Sequence, residues 1–449
     1  MVYNDMLSDW KVLKLGELGR IVTGKTPSTQ NPAYFSGDIP FVTPSDMNGR
    51  KVISETERYL TQAGTEAVRG AKIPKGSVMA SCIGSDMGKV AIAGEDCVTN
   101  QQLNSIIVSD EHCSDFVYYN LSSRKEELQR LASSGSAQPI LNKGYFSQLT
   151  IALPPLDEQK AITRILGALD DKVELNRQMN RTLEAMAQAL FKSWFVDFDP
   201  VTAKAAGRKP YGMNEATAEL FPDRFMESEL GLIPEGWQVK QLGEFIDVIH
   251  GYAFQGEFFR TDPPGEILLT PGNFKVGGGF KDSKFKYYIG SVPDEYVLEE
   301  GDLIITMTDL SKEADTLGYP AIVPAPSNGR FLHNQRLGKV AIKSSAPISK
   351  AHLYFLLRTD DYRSEILAGA TGTTVKHTSP SRIKLFKLPF PPNKLSLEYG
   401  RSTETLQKRL SANEEELRTL AALRDVLLPK LLSGEIRVRQ AENLVAEAV

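Results

Sequence analysis

The sequence predicts an α+β chain: two β-rich domains in a pseudo-two-fold arrangement, separated by a pair of long antiparallel coiled-coil helices. Three observations predict it. The chain repeats itself once. Each copy opens with short β-branched runs broken by turn residues. Each copy closes with a long stretch whose apolar residues recur near every 3.5 positions.

With 449 residues, 41% of them hydrophobic, the chain is too long for one ordinary core and has enough apolar surface for two or more. The repeat is direct. Trp10-Lys-Val-Leu-Lys-Leu-Gly-Glu-Leu18 returns as Trp237-Gln-Val-Lys-Gln-Leu-Gly-Glu-Phe245, and Gly24 is matched by Gly251. Val42-Thr-Pro-Ser-Asp46 meets Leu269-Thr-Pro-Gly-Asn273, Asn100-Gln101 meets Asn334-Gln335, and Leu153-Pro-Pro155 meets Phe390-Pro-Pro392. The offset drifts from 227 to 237 positions, as loop insertions in a duplicated unit require.

Residues 1–154 form the first β-rich domain. Strands are expected at Gly19–Val22, Ile39–Thr43, Ser77–Met79, Val90–Ala93, Ser105–Val108 and Leu149–Leu153, with one helix at Phe116–Leu131. Residues 155–198 are a long helix whose seam is Ile162, Leu166, Leu169, Val173, Asn176, Asn180, Leu183, Ala187, Leu190 and Trp194. Residues 199–235, rich in Pro, Gly and Ala without sustained period, read as a linker. Residues 236–392 are the second β-rich domain, with its helix at Leu353–Leu367. Residues 393–434 repeat the long helix, with a seam of Tyr399, Thr403, Leu406, Leu410, Asn413, Leu417, Leu420, Arg424, Leu427 and Leu431. Residues 435–449 read as a frayed polar-alanine tail. Asn176 and Asn413 occupy equivalent seam positions, where a polar residue fixes register, so the two helices are expected to pair. About 40 residues of helix span roughly 60 Å, enough to hold two domains apart.

The net charge of -4 excludes a protein that coats nucleic acid by bulk electrostatics. Each β-rich domain is close to neutral, which still suits a site-specific binder with focused contacts. No stretch approaches the roughly 18 apolar residues of a membrane span. Met1–Trp10 carries Asp5 and Asp9 and no apolar segment, so a cytoplasmic location is expected. Cys82, Cys97 and Cys113 form no metal-binding spacing, and no metal site is expected.

Catalytic motifs fail on inspection. Gly19-Arg-Ile-Val-Thr-Gly-Lys-Thr26 fits the phosphate-loop pattern, yet Ile21 and Val22 suit a strand, and Pro27 and Pro32 stand where a helix must begin. The second copy has Ile246, Tyr252 and Ala253 at the motif positions. The five histidines make no HExxH or Ser-His-Asp context. Neither a G-x-G-x-x-G opening a helix nor a nuclease-type carboxylate set is present, so the chain is expected to be non-catalytic and to hold no cofactor itself.

What remains is loop chemistry suited to reading bases, because amide side chains pair with adenine and cationic ones with guanine in the major groove. The candidates are Asn100, Gln101, Gln102, Gln138, Asn142, Lys143, Asn273, Asn334, Gln335, Arg336, Thr373, Lys376 and His377. Lys25, Thr26, Ser28, Lys89, Tyr252 and Gln255 join them as phosphate or groove contacts. For each residue the plain alternative is an Asn or Gln tying a loop to itself.

Several longer strings stand out: Leu153-Pro-Pro-Leu-Asp-Glu-Gln-Lys160 before the long helix, Leu190-Phe-Lys-Ser-Trp-Phe-Val-Asp-Phe-Asp-Pro200, Leu220-Phe-Pro-Asp-Arg-Phe225, Ser228–Trp237 and Gly88-Lys-Val-Ala-Ile92. In these strings the chain resembles a known family, the specificity subunit of Type I restriction-modification systems. Asn393–Leu397 departs from it by lacking the Glu-Gln of the first copy. The resemblance implies a DNA-binding subunit whose two recognition domains each read half of an asymmetric bipartite target. It implies two methyltransferase subunits carrying S-adenosylmethionine for adenine N6 methylation, and motor-endonuclease subunits using ATP and Mg. Phe191, Trp194, Phe195, Leu428, Leu431 and Leu432 are then candidates for partner contact as well as core. The competing readings are a coiled-coil scaffold without a DNA role and an ATPase acting through Gly19–Thr26.

Overall fold

The computed structural model describes residues 9–133, 140–311, 313–326, 329–392 and 394–448. They fall into two compact units, Met1–Gln178 with Asn413–Val449, and Met179–Ala412.

In the first unit, a five-stranded sheet runs in the order Gly19–Thr23, Leu103–Val108, Val78–Ser81, Val90–Ala93, Val52–Ile53. A four-stranded sheet runs in the order Tyr59–Leu60, Phe35–Val42, Cys97–Thr99, Lys72–Ile73. Lys11–Lys14 pairs with Thr150–Leu153 and closes the domain at the foot of the long helix. The β-branched runs fill the sheet interiors: Val78, Met79, Ala80 and Ile106 are fully buried. The thiols of Cys82 and Cys97 are pushed up to about 11 and about 12, in both cases chiefly by burial.

The second unit repeats this plan. A four-stranded sheet orders Ile246–His250, Leu337–Ile342, Leu303–Thr306 and Pro320–Ile322. A five-stranded sheet orders Phe259–Arg260, Lys286–Tyr288, Glu266–Leu269, Phe331–His333 and Val297–Leu298. Gln238–Gln241 pairs with Lys387–Phe390 as Lys11–Lys14 pairs with Thr150–Leu153. The parallel pairing of Val42 with Thr99 recurs as Leu269 with His333, so the duplication extends to strand register.

Two helices, Leu156–Phe195 and Leu395–Leu432, carry the repeating seams. All twenty seam residues are buried or half-buried. In the first unit the helices run antiparallel, since contacts fall on one as they rise on the other. Asp170 meets Arg424 at 3.1 Å, and Asn176 Nδ2 donates to Glu416 Oε2 at 2.8 Å. Lys172 pairs with the same Glu416 at 3.0 Å. In the second unit the Tyr399 hydroxyl donates to the Ala187 carbonyl at 2.8 Å. Around it, Phe191, Trp194, Phe195, His352 and Phe355 form an aromatic core.

Three expectations change. The helix expected over Phe116–Leu131 is two, Ser114–Ser122 and Lys125–Ser133. Ser122 and Ser123 turn their hydroxyls back onto the Tyr119 and Asn120 carbonyls, which ends the first helix. Its counterpart breaks likewise into Lys350–Leu356 and Asp360–Ala368, the latter capped by Thr359. The stretch 199–235 is folded: it holds helices Asp199–Ala205 and Glu215–Glu219 and the hairpin Phe225–Ser228 with Gly231–Pro234. Val201, Phe221 and Ile233 anchor it in the aromatic core. Their wide spacing hides them from a periodicity test. The stretch 435–449 contains the helix Val438–Ala448, seated through buried Ala441 and an Arg437–Glu158 ion pair at 2.8 Å.

Candidate nucleic-acid interface

One end of the first β-rich domain gathers loops that hydrogen bonds weld together. Strand Gly19–Thr23 delivers Gly24 onto the Thr99–Asn100 backbone so closely that a Cβ there would lie 2.0 Å from the Asn100 carbonyl oxygen. Next to it, Lys25 N donates to Thr99 O at 2.8 Å, and the Thr26 hydroxyl donates to Gln101 Oε1 at 2.6 Å. Asn100 N donates to Val42 O at 3.0 Å and so brings in the Thr43–Asp46 turn. Asp46 Oδ2 closes that turn by accepting from both Thr43 N and Thr43 Oγ1 at 2.7 Å. Lys89 Nζ donates to Pro44 O at 3.0 Å and pairs with Asp86 at 2.8 Å. Cys82 links Gln102 to Leu141, and thus to Asn142 and Lys143.

The second domain builds the same scaffold from other residues. Gly251 lies against Asn334, where a Cβ would come within 2.3 Å of the carbonyl oxygen. Tyr252 N donates to His333 O at 2.8 Å, and Gln335 N donates to Tyr252 O at 2.9 Å. Asn273 Oδ1 closes the Thr270–Asn273 turn by accepting from Thr270 N at 3.0 Å, as Asp46 does in the first domain. Met307 links Arg336 to Thr378 as Cys82 links Gln102 to Leu141. Thr308 and Asp309 pair with His377 and Lys376, and Thr308 Oγ1 lies 3.1 Å from His377 Nδ1.

Within this scaffold the candidates divide. Asn100, Asn273 and Asn334 are buried and spend their amides on the loops: Asn100 Oδ1 accepts from Gln102 N, Asn334 Oδ1 accepts from Arg336 N, and Asn273 Nδ2 donates to Ser283 O. Asn142 caps the helix Lys143–Gln148 by accepting from Tyr145 N at 3.0 Å. Lys25, Ser28, Gln101, Asn142, Lys143, Gln255, Gln335, Arg336, Thr373 and His377 are exposed; Thr26, Lys89, Gln102, Tyr252 and Lys376 are half-buried. Gln138 lies outside the described residues. At equivalent scaffold positions the side chains differ: exposed Lys25 stands against half-buried Tyr252, whose ring packs on Phe254 and Tyr296, and half-buried Gln102 against exposed Arg336. Residue-by-residue reading passed over Thr43, Ser45 and Asp46, although the Thr-Pro repeat marked that turn.

The six apolar partner candidates are claimed by the chain itself. Phe191, Trp194, Phe195, Leu431 and Leu432 are at most 7% exposed, and half-buried Leu428 packs against the first unit's core. Gly19–Thr23 is a strand whose backbone pairs with Asn104–Val108, so its amides do not form a phosphate cradle. Among the described residues no group of three or more His, Cys, Asp or Glu is placed to hold a metal, and no helix is long and apolar enough to cross a membrane.

Polar braces hold the loops to the helices. In the first unit Lys51 Nζ pairs with Asp115 at 2.5 Å and sits 4.8 Å from the Tyr119 ring centre. The Tyr119 hydroxyl donates to Asp170 at 2.7 Å, and Arg424 grips the other Asp170 oxygen. Burial first, and Asp170 second, push the Tyr119 phenol far above its usual range, so it stays a donor. In the second unit Arg358 donates to Gly277 O at 2.7 Å and to Glu184 at 2.5 Å, with Tyr354 donating to the same carboxylate.

The chain matches the family model described as Type I restriction modification DNA specificity domain over residues 7–185 and 234–398. It is 28% identical to the Type I restriction enzyme MjaIX specificity subunit of Methanocaldococcus jannaschii over 448 residues, covering 96% of this chain and 94% of that one. It is 25% identical to the HindI specificity subunit of Haemophilus influenzae, covering 96% of this chain and 100% of that one. Among solved structures it resembles the Type I restriction-modification S subunit from M. genitalium, with a TM-score of 0.55 and 16% identity over 94% of this chain and 96% of that one.

Proposed function

Because the chain belongs to the Type I restriction-modification DNA specificity family, we propose that its two β-rich domains each read one half of an asymmetric, bipartite DNA target. The chain is a non-catalytic specificity subunit that recognises DNA and acts with other subunits. The observation that carries the finer reading is the repeated loop scaffold with unlike side chains at equivalent positions. One frame used twice fits two half-sites, and Lys25 against Tyr252, or Gln102 against Arg336, fits half-sites that differ.

The near-neutral charge of each domain fits a clamp on the phosphates completed by partner subunits. In this reading two methyltransferase subunits bind S-adenosylmethionine and take the flipped adenine, while motor-endonuclease subunits use ATP and Mg. The chain supplies the address and the partners the chemistry. Because Phe191, Trp194 and Phe195 are interior, docking falls to exposed positions on the long helices.

The test is to map N6-methyladenine by long-read sequencing in cells with and without this chain, its modification partner present in both. A two-part motif with a fixed spacer, lost without the chain, is expected. A continuous motif, or methylation independent of the chain, contradicts the reading. Inserting four residues in one long helix is expected to change the spacer.

A further inference from the structure

We propose that Lys51 and Arg358 are positioning residues for DNA reading. Each ends a polar strut that holds its domain's recognition turn, Thr43–Asp46 or Thr270–Asn273, in place on the long helices. The proposal rests on the two-domain reading above and names what keeps each turn ready for its half-site.

In both units the turn hangs on a strand whose core is separate from that of the helices. The strand Phe35–Val42, which leads into the first turn, buries Phe41 beside Leu60 and Val98, and Val42 beside Met47 and Ile73. The strand Glu266–Leu269, which leads into the second, buries Ile267 and Leu269 with Phe274 and Phe331, and Leu268 with Leu332. Among the described residues no side chain of Leu156–Phe195 or Leu395–Leu432 joins these clusters; the helices pack into the other two cores. Apolar packing thus secures each turn to the helices only at second hand.

The struts make the link direct. In the second domain the chain leaves Asn273 on an arm, residues 274–281, pinched at its base by the Phe274–Phe280 bridge and by Lys281 N donating to Asn273 O at 2.8 Å. At the tip Gly277, Gly278 and Gly279 take φ of 82, 96 and 101°, and a Cβ on Gly278 would lie 3.1 Å from the Arg358 side chain. Arg358, whose side chain is 12% exposed, lies over the Tyr354 ring at 5.0 Å. It holds arm and helix at once: Nε donates to Gly277 O at 2.7 Å, and Nη1 donates to Glu184 of the long helix at 2.5 Å. In the first domain the segment after Asp46 reaches the helices through Lys51. Its ammonium pairs with Asp115 at 2.5 Å and lies 3.4 Å from the Tyr119 hydroxyl, which donates to Asp170 of one long helix, where Arg424 of the other also binds. The link leaves corresponding turns in both copies, yet it is built from unlike groups. A turn held this way meets DNA already ordered and resists shifting to suit a wrong base.

The test uses the full chain assembled with its modification partner. The probes are duplexes of the target found by methylation mapping, intact or with one base pair changed in either half-site. We expect Arg358→Ala to bind the intact target about three- to tenfold less tightly, the cost of ordering one freed group on binding, and to lose discrimination in one half-site only. Lys51→Ala does the same for the opposite half-site. Glu184→Ala repeats Arg358→Ala, the double variant adds nothing to either, and Glu184→Gln, which keeps an acceptor for Arg358, stays near native. Amide exchange over residues 274–281 rises in Arg358→Ala and not in Lys51→Ala. Equal weakening for every duplex, loss at both half-sites from one variant, or native discrimination in Arg358→Ala overturns the proposal. Were Arg358→Ala not to fold, Glu184→Ala, altered at a side chain 35% exposed on the helix, decides by the same readings. If the native chain yields no two-part target, the two-domain reading is what fails.

Discussion

Truncating Phe191 to alanine is expected to cost the second unit about 3–5 kcal/mol. Phe191 is 2% exposed, and its ring centre lies 5.1 Å from Phe195, 5.1 Å from His352, 5.6 Å from Tyr399 and 6.2 Å from Phe355. Removing it leaves a void bounded by rigid rings, which collapse poorly, so the cost falls toward the upper part of that range. For a unit of this size, each kcal/mol moves the melting temperature by about 2–4 °C, which predicts a drop on the order of 10 °C. The assay is thermal and denaturant unfolding of Phe191→Ala beside Met186→Ala, a 54% exposed site on the same helix that is expected to change stability by less than about 0.5 kcal/mol. Native-like melting of Phe191→Ala, with loss only of partner binding, would refute the assignment of this residue to the core and return it to a docking face.

Gly24→Ala and Gly251→Ala each place a Cβ against backbone carbonyl oxygen, at 2.0 and 2.3 Å; a cost of about 1–3 kcal/mol and loss of the affected half-site in methylation mapping are expected. Unchanged mapping in both would show that the loops can shift. Burial pushes His352 down to about 3 and His333 down to about 4, so both are neutral in the fold. Free histidine takes up its proton near pH 6.5, so below that pH the unfolded chain binds more protons. Stability is then lost by up to about 1.4 kcal/mol per pH unit for each histidine, and His352→Leu is expected to flatten the slope between pH 6.5 and 4. Lys25→Ala is expected to reduce the salt dependence of DNA binding by about one phosphate contact, while Tyr252→Ala, at the equivalent position, leaves the salt slope unchanged. Tyr119→Phe removes the donor to Asp170 and is expected to cost about 1–2 kcal/mol in the first unit, read by denaturant unfolding.

The scaffold was legible because period and repetition are properties of the sequence. The seams gave helices at Leu156–Phe195 and Leu395–Leu432, and short apolar runs gave strands such as Val90–Ala93. The folded stretch 199–235 was not legible, because Val201, Phe221 and Ile233 are too widely spaced to form a pattern and act only by joining the core that holds Trp194 and Trp237, with Phe221 edge-on to Trp194. The recognition loops were half legible. The Asn-Gln and Thr-Pro repeats pointed to the right turns, but which amide faces outward depends on hydrogen bonds that sequence spacing does not express. Thus Asn100 and Asn334 lock the turns, and Gln101 and Gln335 stand exposed at them.

The amino-acid order alone settled that the chain is doubled and that each half pairs a β-rich domain with a long seamed helix; its DNA role came from resemblance to known specificity subunits. The first two properties are local or periodic, so each follows from residue type and spacing. Tertiary structure alone decided that the aromatic run Phe191–Phe195 turns inward, and that Asp170 and Glu184 serve as anchor points within their units. Burial and hydrogen-bond closure arise from groups far apart in the chain, and only folding brings them within reach.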